Sequence, residues 1–92
     1  MQTKTFVYIL RSDRNPLRHC TGLTSNVERR LTWHNAGQNV HTARERPWSL
    51  VVSIQFSNED SARRFEKYLK SGSGRSFARR HFGQGQTETG NS

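Results

Sequence analysis

The chain contains one cysteine in 92 residues. That excludes an internal disulfide and any zinc site built from several cysteines. Acidic residues are scarce, 7 Asp and Glu against 15 Lys and Arg. Apolar residues make up only 30% of the chain, which is low for a globular protein. No run approaches the roughly 20 apolar residues that cross a bilayer. The first residues also lack the apolar stretch of a signal peptide. The expectation is a cytoplasmic protein with no membrane partner.

The apolar residues that are present cluster at 5–10, 50–56 and 62–69. A chain of this length buries about 60–65% of its unfolded surface, so its core is thin. One domain over residues 1–82 is expected. Residues 83–92 hold no apolar residue and read as a disordered tail. The formal net charge is +8, and Arg supplies 12 of the 15 basic residues. Its planar fork suits phosphate oxygens. Nucleic acid is the natural electrostatic partner of so basic a domain. Charge alone leaves a merely basic soluble or ribosome-associated protein equally open.

Phe6, Tyr8 and Leu10 alternate with Val7 and Ile9, giving a strand with two apolar faces. Ser12 to Pro16 is turn chemistry, and Arg18 to Leu23 reads as the second strand of a hairpin. Ser25 and Glu28 fit a capping box for a helix over about 26–36, stopped by Gly37. Residues 38–47 read as a polar loop. Leu50, Val52, Ile54 and Phe56 mark the core face of a third strand. Ser57 or Asn58 caps a helix carrying Ala62, Phe65 and Leu69, with Glu59 and Asp60 at its positive end. Ser71-Gly72-Ser73-Gly74 breaks that helix, and Arg75 to Phe82 forms another with Phe77 as anchor. The fold class is α/β, a small, mostly antiparallel three-stranded sheet flanked by helices in the order β-β-α-β-α-α.

Some polar residues occupy places where the pattern wants apolar ones. Positions 27, 30, 31 and 34 share one helical face, which puts Arg30 and His34 on or beside the inward stripe. The plain alternative is an edge position with packed stems and solvated heads. Glu66 falls on the stripe of Ala62, Phe65 and Leu69, and a buried carboxylate needs a partner or a cation. The plain alternative there is an exposed pair with Lys70, worth about 0.3–0.5 kcal/mol. Phosphodiester cleavage asks for such a set. A carboxylate holds Mg²⁺, an arginine offsets phosphorane charge, and a tyrosine or histidine moves a proton.

With Phe6-Val7-Tyr8 and Cys20-Thr21-Gly22 as its two triplets, the chain resembles the GIY-YIG nuclease superfamily, in its small single-domain, YhbQ-like branch. The run from Glu28 to Gly37 (Glu-Arg-Arg-Leu-Thr-Trp-His-Asn-Ala-Gly) and the run Arg64 to Ser71 carry the closest likeness. The resemblance spans about residues 4–82. It implies that Tyr8 activates or orients the attacking water and that Gly22 lets the backbone turn before the helix. It further implies that Arg30 contacts the scissile phosphate, His34 lies near the nucleophile and Glu66 binds Mg²⁺ or Mn²⁺. Phe6 stands for the first-triplet glycine, no asparagine follows Glu66 in the usual region, and Cys20 stands for the second-triplet tyrosine. A cysteine there is either a small buried hydrophobe or a reactive thiol.

The function so implied is a divalent-metal-dependent DNA endonuclease in repair or recombination, with branched or flapped DNA as a possible substrate. The alternatives are a binding module that kept the fold with weakened chemistry, and an adaptor for a larger repair complex. Arg44, Arg46, Lys70, Arg75, Arg79 and Arg80 are the expected nucleic-acid contacts.

Overall fold

A computed structural model describes residues 4–83. The tail expected over 83–92 therefore lies outside the described residues except for Gly83. Strands β1 (Thr5–Ser12), β2 (His19–Thr24) and β3 (Trp48–Phe56) form one sheet in the order β2-β1-β3. Both pairings are antiparallel. Helices α1 (Val27–Asn35) and α2 (Val40–Ala43) precede β3, and α3 (Glu59–Leu69) and α4 (Gly72–Phe82) follow it. No helix among the described residues is long and apolar enough to cross a membrane.

The central strand β1 is covered on both faces, as its apolar run requires. Val7 and Ile9 are buried with Ala62, Leu69 and Ala78 of α3 and α4, and Phe65 and Phe77 pack against that cluster. The opposite face buries Tyr8, Leu10 and Trp48 with Cys20 and Leu31. The first cluster is the larger and includes edge-to-face aromatics, Phe65 on Phe77 at 6.2 Å and Phe77 on Phe82 at 5.8 Å. Phe77 thus anchors α4 as its spacing predicts.

Four local expectations change. The cap of α1 is Asn26, not Ser25; its side chain accepts from Arg29 N at 2.9 Å. Thr24 Oγ1 accepts from Asn26 N at 3.1 Å, which holds the turn one residue further before the helix begins. The segment 38–47 is not all loop: Asn39 accepts from His41 N at 2.7 Å and starts the short helix α2.

The third change concerns β3, where Leu50 is exposed rather than in the core. Ile9 pairs with Val52 but Leu10 pairs with Leu50, so Val51 is an extra residue in a bulge. A bulge reverses the inside–outside alternation of the strand, and Val51 joins Val52 against the α3/α4 core. The fourth is that α4 begins at Gly72. Ser71 accepts from Gly74 N at 3.1 Å, so the serine-glycine run is a cap and first turn instead of a break. Gly74 is buried, and a Cβ there would overlap the Tyr68 carbonyl. Close approach of α4 to the end of α3 requires that glycine.

Candidate active site

Helix α1 has little apolar surface, and its one fully buried residue is His34. Hydrogen bonds dock it. Asn35 Oδ1 accepts from Trp48 N at 2.6 Å, and Asn35 Nδ2 donates to Trp48 O at 3.1 Å. Trp48 Nε1 donates to Thr42 O at 2.9 Å, tying α2 into the same corner. Hydropathy periodicity gives no weight to an asparagine, so Asn35 and Thr42 escape sequence reasoning. Their signal is a polar residue beside a stripe too thin to hold a helix alone.

That docking fixes His34 against β1. It is 2% exposed, buried rather than at an edge. Its Nε2 lies 3.1 Å from the Tyr8 phenol oxygen and its Nδ1 lies 2.9 Å from Thr42 Oγ1. Thr42 Oγ1 in turn donates to Asn39 O at 3.4 Å. With the Thr42 proton so directed, Nδ1–H donates to Thr42 and Nε2 accepts from the phenol. Burial, then the charge of Arg30, lowers the His34 pKa from the ordinary 6.5. The imidazole is neutral at pH 7.

Tyr8 is 3% exposed. Its pKa is pushed up to about 12, first by burial and then by Cys20; Arg30 opposes the rise and Glu66 adds to it. One phenol thus feels Cys20 from β2, Arg30 from α1 and Glu66 from α3. Those residues are 12, 22 and 58 positions from Tyr8 in the chain.

 The fold alone brings them to one place.

Arg30 is half-buried, and its guanidinium lies 4.9 Å from the centroid of the Trp33 ring. Trp33 also meets the His34 ring edge-on at 5.0 Å. The tryptophan thereby holds Arg30 beside the phenol, a role invisible in the sequence pattern. Glu66 is largely covered, its side chain 17% exposed, and Oε2 accepts from Lys70 Nζ at 2.6 Å. The i,i+4 pair expected as an alternative therefore forms, but around a carboxylate that is mostly shielded from water.

Cys20 sits opposite Leu10 in the β1–β2 ladder and packs with Tyr8, Leu10 and Trp48. Burial raises its pKa, with Lys70 and Arg30 acting in the opposite sense. It is a protonated thiol filling apolar space. Gly22 takes a different role from the turn expected of it. It lies within β2, directly across from Tyr8. A Cβ at Gly22 would fall 2.5 Å from the phenol oxygen, so the glycine makes room for Tyr8.

Among the described residues no group of three or more His, Cys, Asp or Glu could hold a metal. Mg²⁺ does not need one, because it keeps several waters and takes one or two carboxylates plus substrate phosphates. Glu66 fits that donor requirement once Lys70 releases its oxygen. Of the expected nucleic-acid contacts, Lys70, Arg75 and Arg79 line one cleft, whereas Arg44, Arg46 and Arg80 do not border it.

Residues 4–80 match the family model of the GIY-YIG catalytic domain. The chain belongs to the GIY-YIG family. A UPF0213 protein from Staphylococcus haemolyticus is 41% identical over 69 residues, which cover 74% of this chain and 82% of that protein. A UPF0213 protein from Nitratidesulfovibrio vulgaris is 39% identical over 66 residues, covering 71% of this chain and 58% of its own. The solution structure of a UPF0213 protein from Bacillus halodurans is similar with a TM-score of 0.52 and 29% identity. It covers 91% of this chain, which covers 88% of it. This GIY-YIG chain therefore has a nuclease-type fold of the small single-domain kind.

Proposed function

We propose that this GIY-YIG chain is a divalent-metal-dependent DNA endonuclease that hydrolyses phosphodiester bonds in repair or recombination. The observation that carries the reading is the hydrogen-bonded run from Tyr8 through His34 to Thr42, set beside Arg30 and Glu66. A phenol with a pKa of about 12 is a poor base by itself. Ionising it at neutral pH costs about 7 kcal/mol. The neutral Nε2 of His34 offers the phenol proton a direct acceptor. As Tyr8 takes a proton from the attacking water, its own proton passes to Nε2, and the phenol never becomes a free anion. The resulting imidazolium keeps its Nδ1–H on Thr42.

Arg30 offsets negative charge that develops on the phosphate. Glu66 would hold Mg²⁺ or Mn²⁺. The metal supplies Lewis-acid polarisation of a phosphate oxygen. Lys70 keeps the Glu66 carboxylate paired in its absence.

A nuclease assay with Mg²⁺ and with Mn²⁺ on linear, flapped and branched DNA tests the proposal. Native protein is expected to cut, and Glu66→Ala to abolish cutting while leaving DNA binding in place. Cutting that survives Glu66→Ala in clean protein refutes it. The second reading, a binding module with weakened chemistry, draws on Cys20, whose protonated thiol replaces a phenol. Strong gain of cutting in Cys20→Tyr would assign the weakness to that residue. Absence of cutting in both native and Cys20→Tyr protein would favour the module.

A further inference from the structure

A cleft of about 690 Å³ opens between the start of β2 and the junction of α3 with α4. Arg18 and His19 border it from one side and Lys70, Arg75 and Arg79 from the other. No acidic and no Phe, Tyr or Trp side chain lines it. His19 Nε2 is a buried atom without a hydrogen-bond partner among the described residues. Of the cations, Arg18 reaches an acid only at 4.0 Å, on Glu45, and Arg79 donates to Ser76 Oγ at 3.2 Å.

Lys70 joins this cleft to the candidate active site. The same side chain that borders the cleft bonds Glu66 at 2.6 Å, and its charge reaches Cys20 beside Tyr8. We propose that the cleft holds the phosphates of the DNA strand on one side of the bond that is cut. The proposal rests on the nuclease reading for its direction, since the strand leaves the Arg30–Glu66 neighbourhood by way of Lys70.

The lining decides the manner of binding. Without an aromatic platform, bases have nothing to stack on, and recognition falls on the backbone. Forked guanidinium groups at Arg18, Arg75 and Arg79 suit phosphate oxygens. Binding is therefore independent of base sequence and steeply dependent on salt.

Fluorescence anisotropy of a labelled DNA oligonucleotide, in EDTA and over a salt series, tests this without any cutting. Two charge-matched variants are compared with native protein: Arg18→Ala/Arg75→Ala/Arg79→Ala in the cleft, and Arg14→Ala/Arg63→Ala/Arg64→Ala outside it. The cleft variant is expected to lose roughly tenfold or more in affinity. Its slope of log affinity against log salt should fall by about 2–3, the loss of three phosphate contacts. The outer variant should change much less, and lysine at the three cleft positions should restore most of the slope. Unchanged binding in the cleft variant, equal losses in the two variants, or failure of lysine to restore the slope would overturn the proposal. Cutting is assayed separately, so protein that binds as expected and never cuts refutes the nuclease reading alone. Protein that cuts but binds equally well without the cleft arginines refutes the cleft alone.

Discussion

The Tyr8 phenol lies over the Cα of Gly22, with only 2.5 Å between its oxygen and the place a Cβ would take. The two residues face each other across the β1–β2 ladder. The glycine thus belongs to the proton path, because any larger residue moves the phenol away from His34. Gly22→Ala is expected to destabilise the fold by about 1–3 kcal/mol through overpacking. It should also lower cutting by about 10²-fold, the scale of a displaced acid–base group. Urea unfolding and a nuclease assay read the two effects separately.

Thr42 holds Nδ1 of His34 at 2.9 Å. Thr42→Val removes the acceptor and leaves a buried N–H unpaired, which costs about 1–3 kcal/mol. Thr42→Ser should retain the tautomer. Nitrogen chemical shifts of the His34 ring are the direct measurement, with protonation at Nδ1 expected in native protein and a mixture in the valine variant.

Stability should fall at both ends of the pH range. His34 and His19 have folded pKa values lowered from 6.5 by burial. The unfolded chain then binds protons more readily than the native one. Their contribution is fully present above pH 6.5 and is lost as the pH falls from there through the lowered folded values. Tyr8 has the opposite sign, because its folded pKa of about 12 exceeds the ordinary 10.0. Its contribution is present below pH 10 and is lost as the pH rises toward 12. Thermal melts from acid to alkali, with His34→Gln and Tyr8→Phe as references, check both limbs.

Asn35 makes two hydrogen bonds to the Trp48 backbone, at 2.6 and 3.1 Å. Asn35→Ala leaves both Trp48 groups without their partner and should destabilise by about 2–4 kcal/mol. Asn35→Asp should restore only the bond from Trp48 N. Chemical denaturation of the three proteins gives the ordering native, aspartate, alanine.

Cys20 is packed against Tyr8, Leu10 and Trp48, and burial holds its thiol above the ordinary range. A thiol reagent should modify it slowly in native protein and rapidly after denaturation. Cys20→Ser should leave the Tyr8–His34 contact intact but lower stability by placing a hydroxyl in apolar surroundings.

Much of the fold was legible in the residues. The two-faced run from Phe6 to Leu10 demands cover on both sides, and helices supply it. The amphipathic spacing of Ala62, Phe65 and Leu69 gives α3, and Asn58 caps it by accepting from Ser61 N at 3.0 Å. The misplaced cap at Ser25, the exposed Leu50 and the helical Ser71–Gly74 segment share one cause. In each, the deciding contact is a neighbour's atom: Thr24 Oγ1, the shifted pairing with β1, or the backbone of α3. Local pattern carries no record of such contacts.

The site divides in the same way. The sequence by itself determined the inventory: a phenol in a buried strand, a cation and an imidazole four positions apart in one helix, and a carboxylate in another. Helical and strand periodicity is enough to put Arg30 and His34 on one face. Only the tertiary structure decided that His34 is buried and neutral, that Thr42 sets its tautomer and that Gly22 clears space for Tyr8. Protonation state and hydrogen-bond direction depend on desolvation and on angles between elements distant in the chain, and those exist only once the sheet and helices have packed.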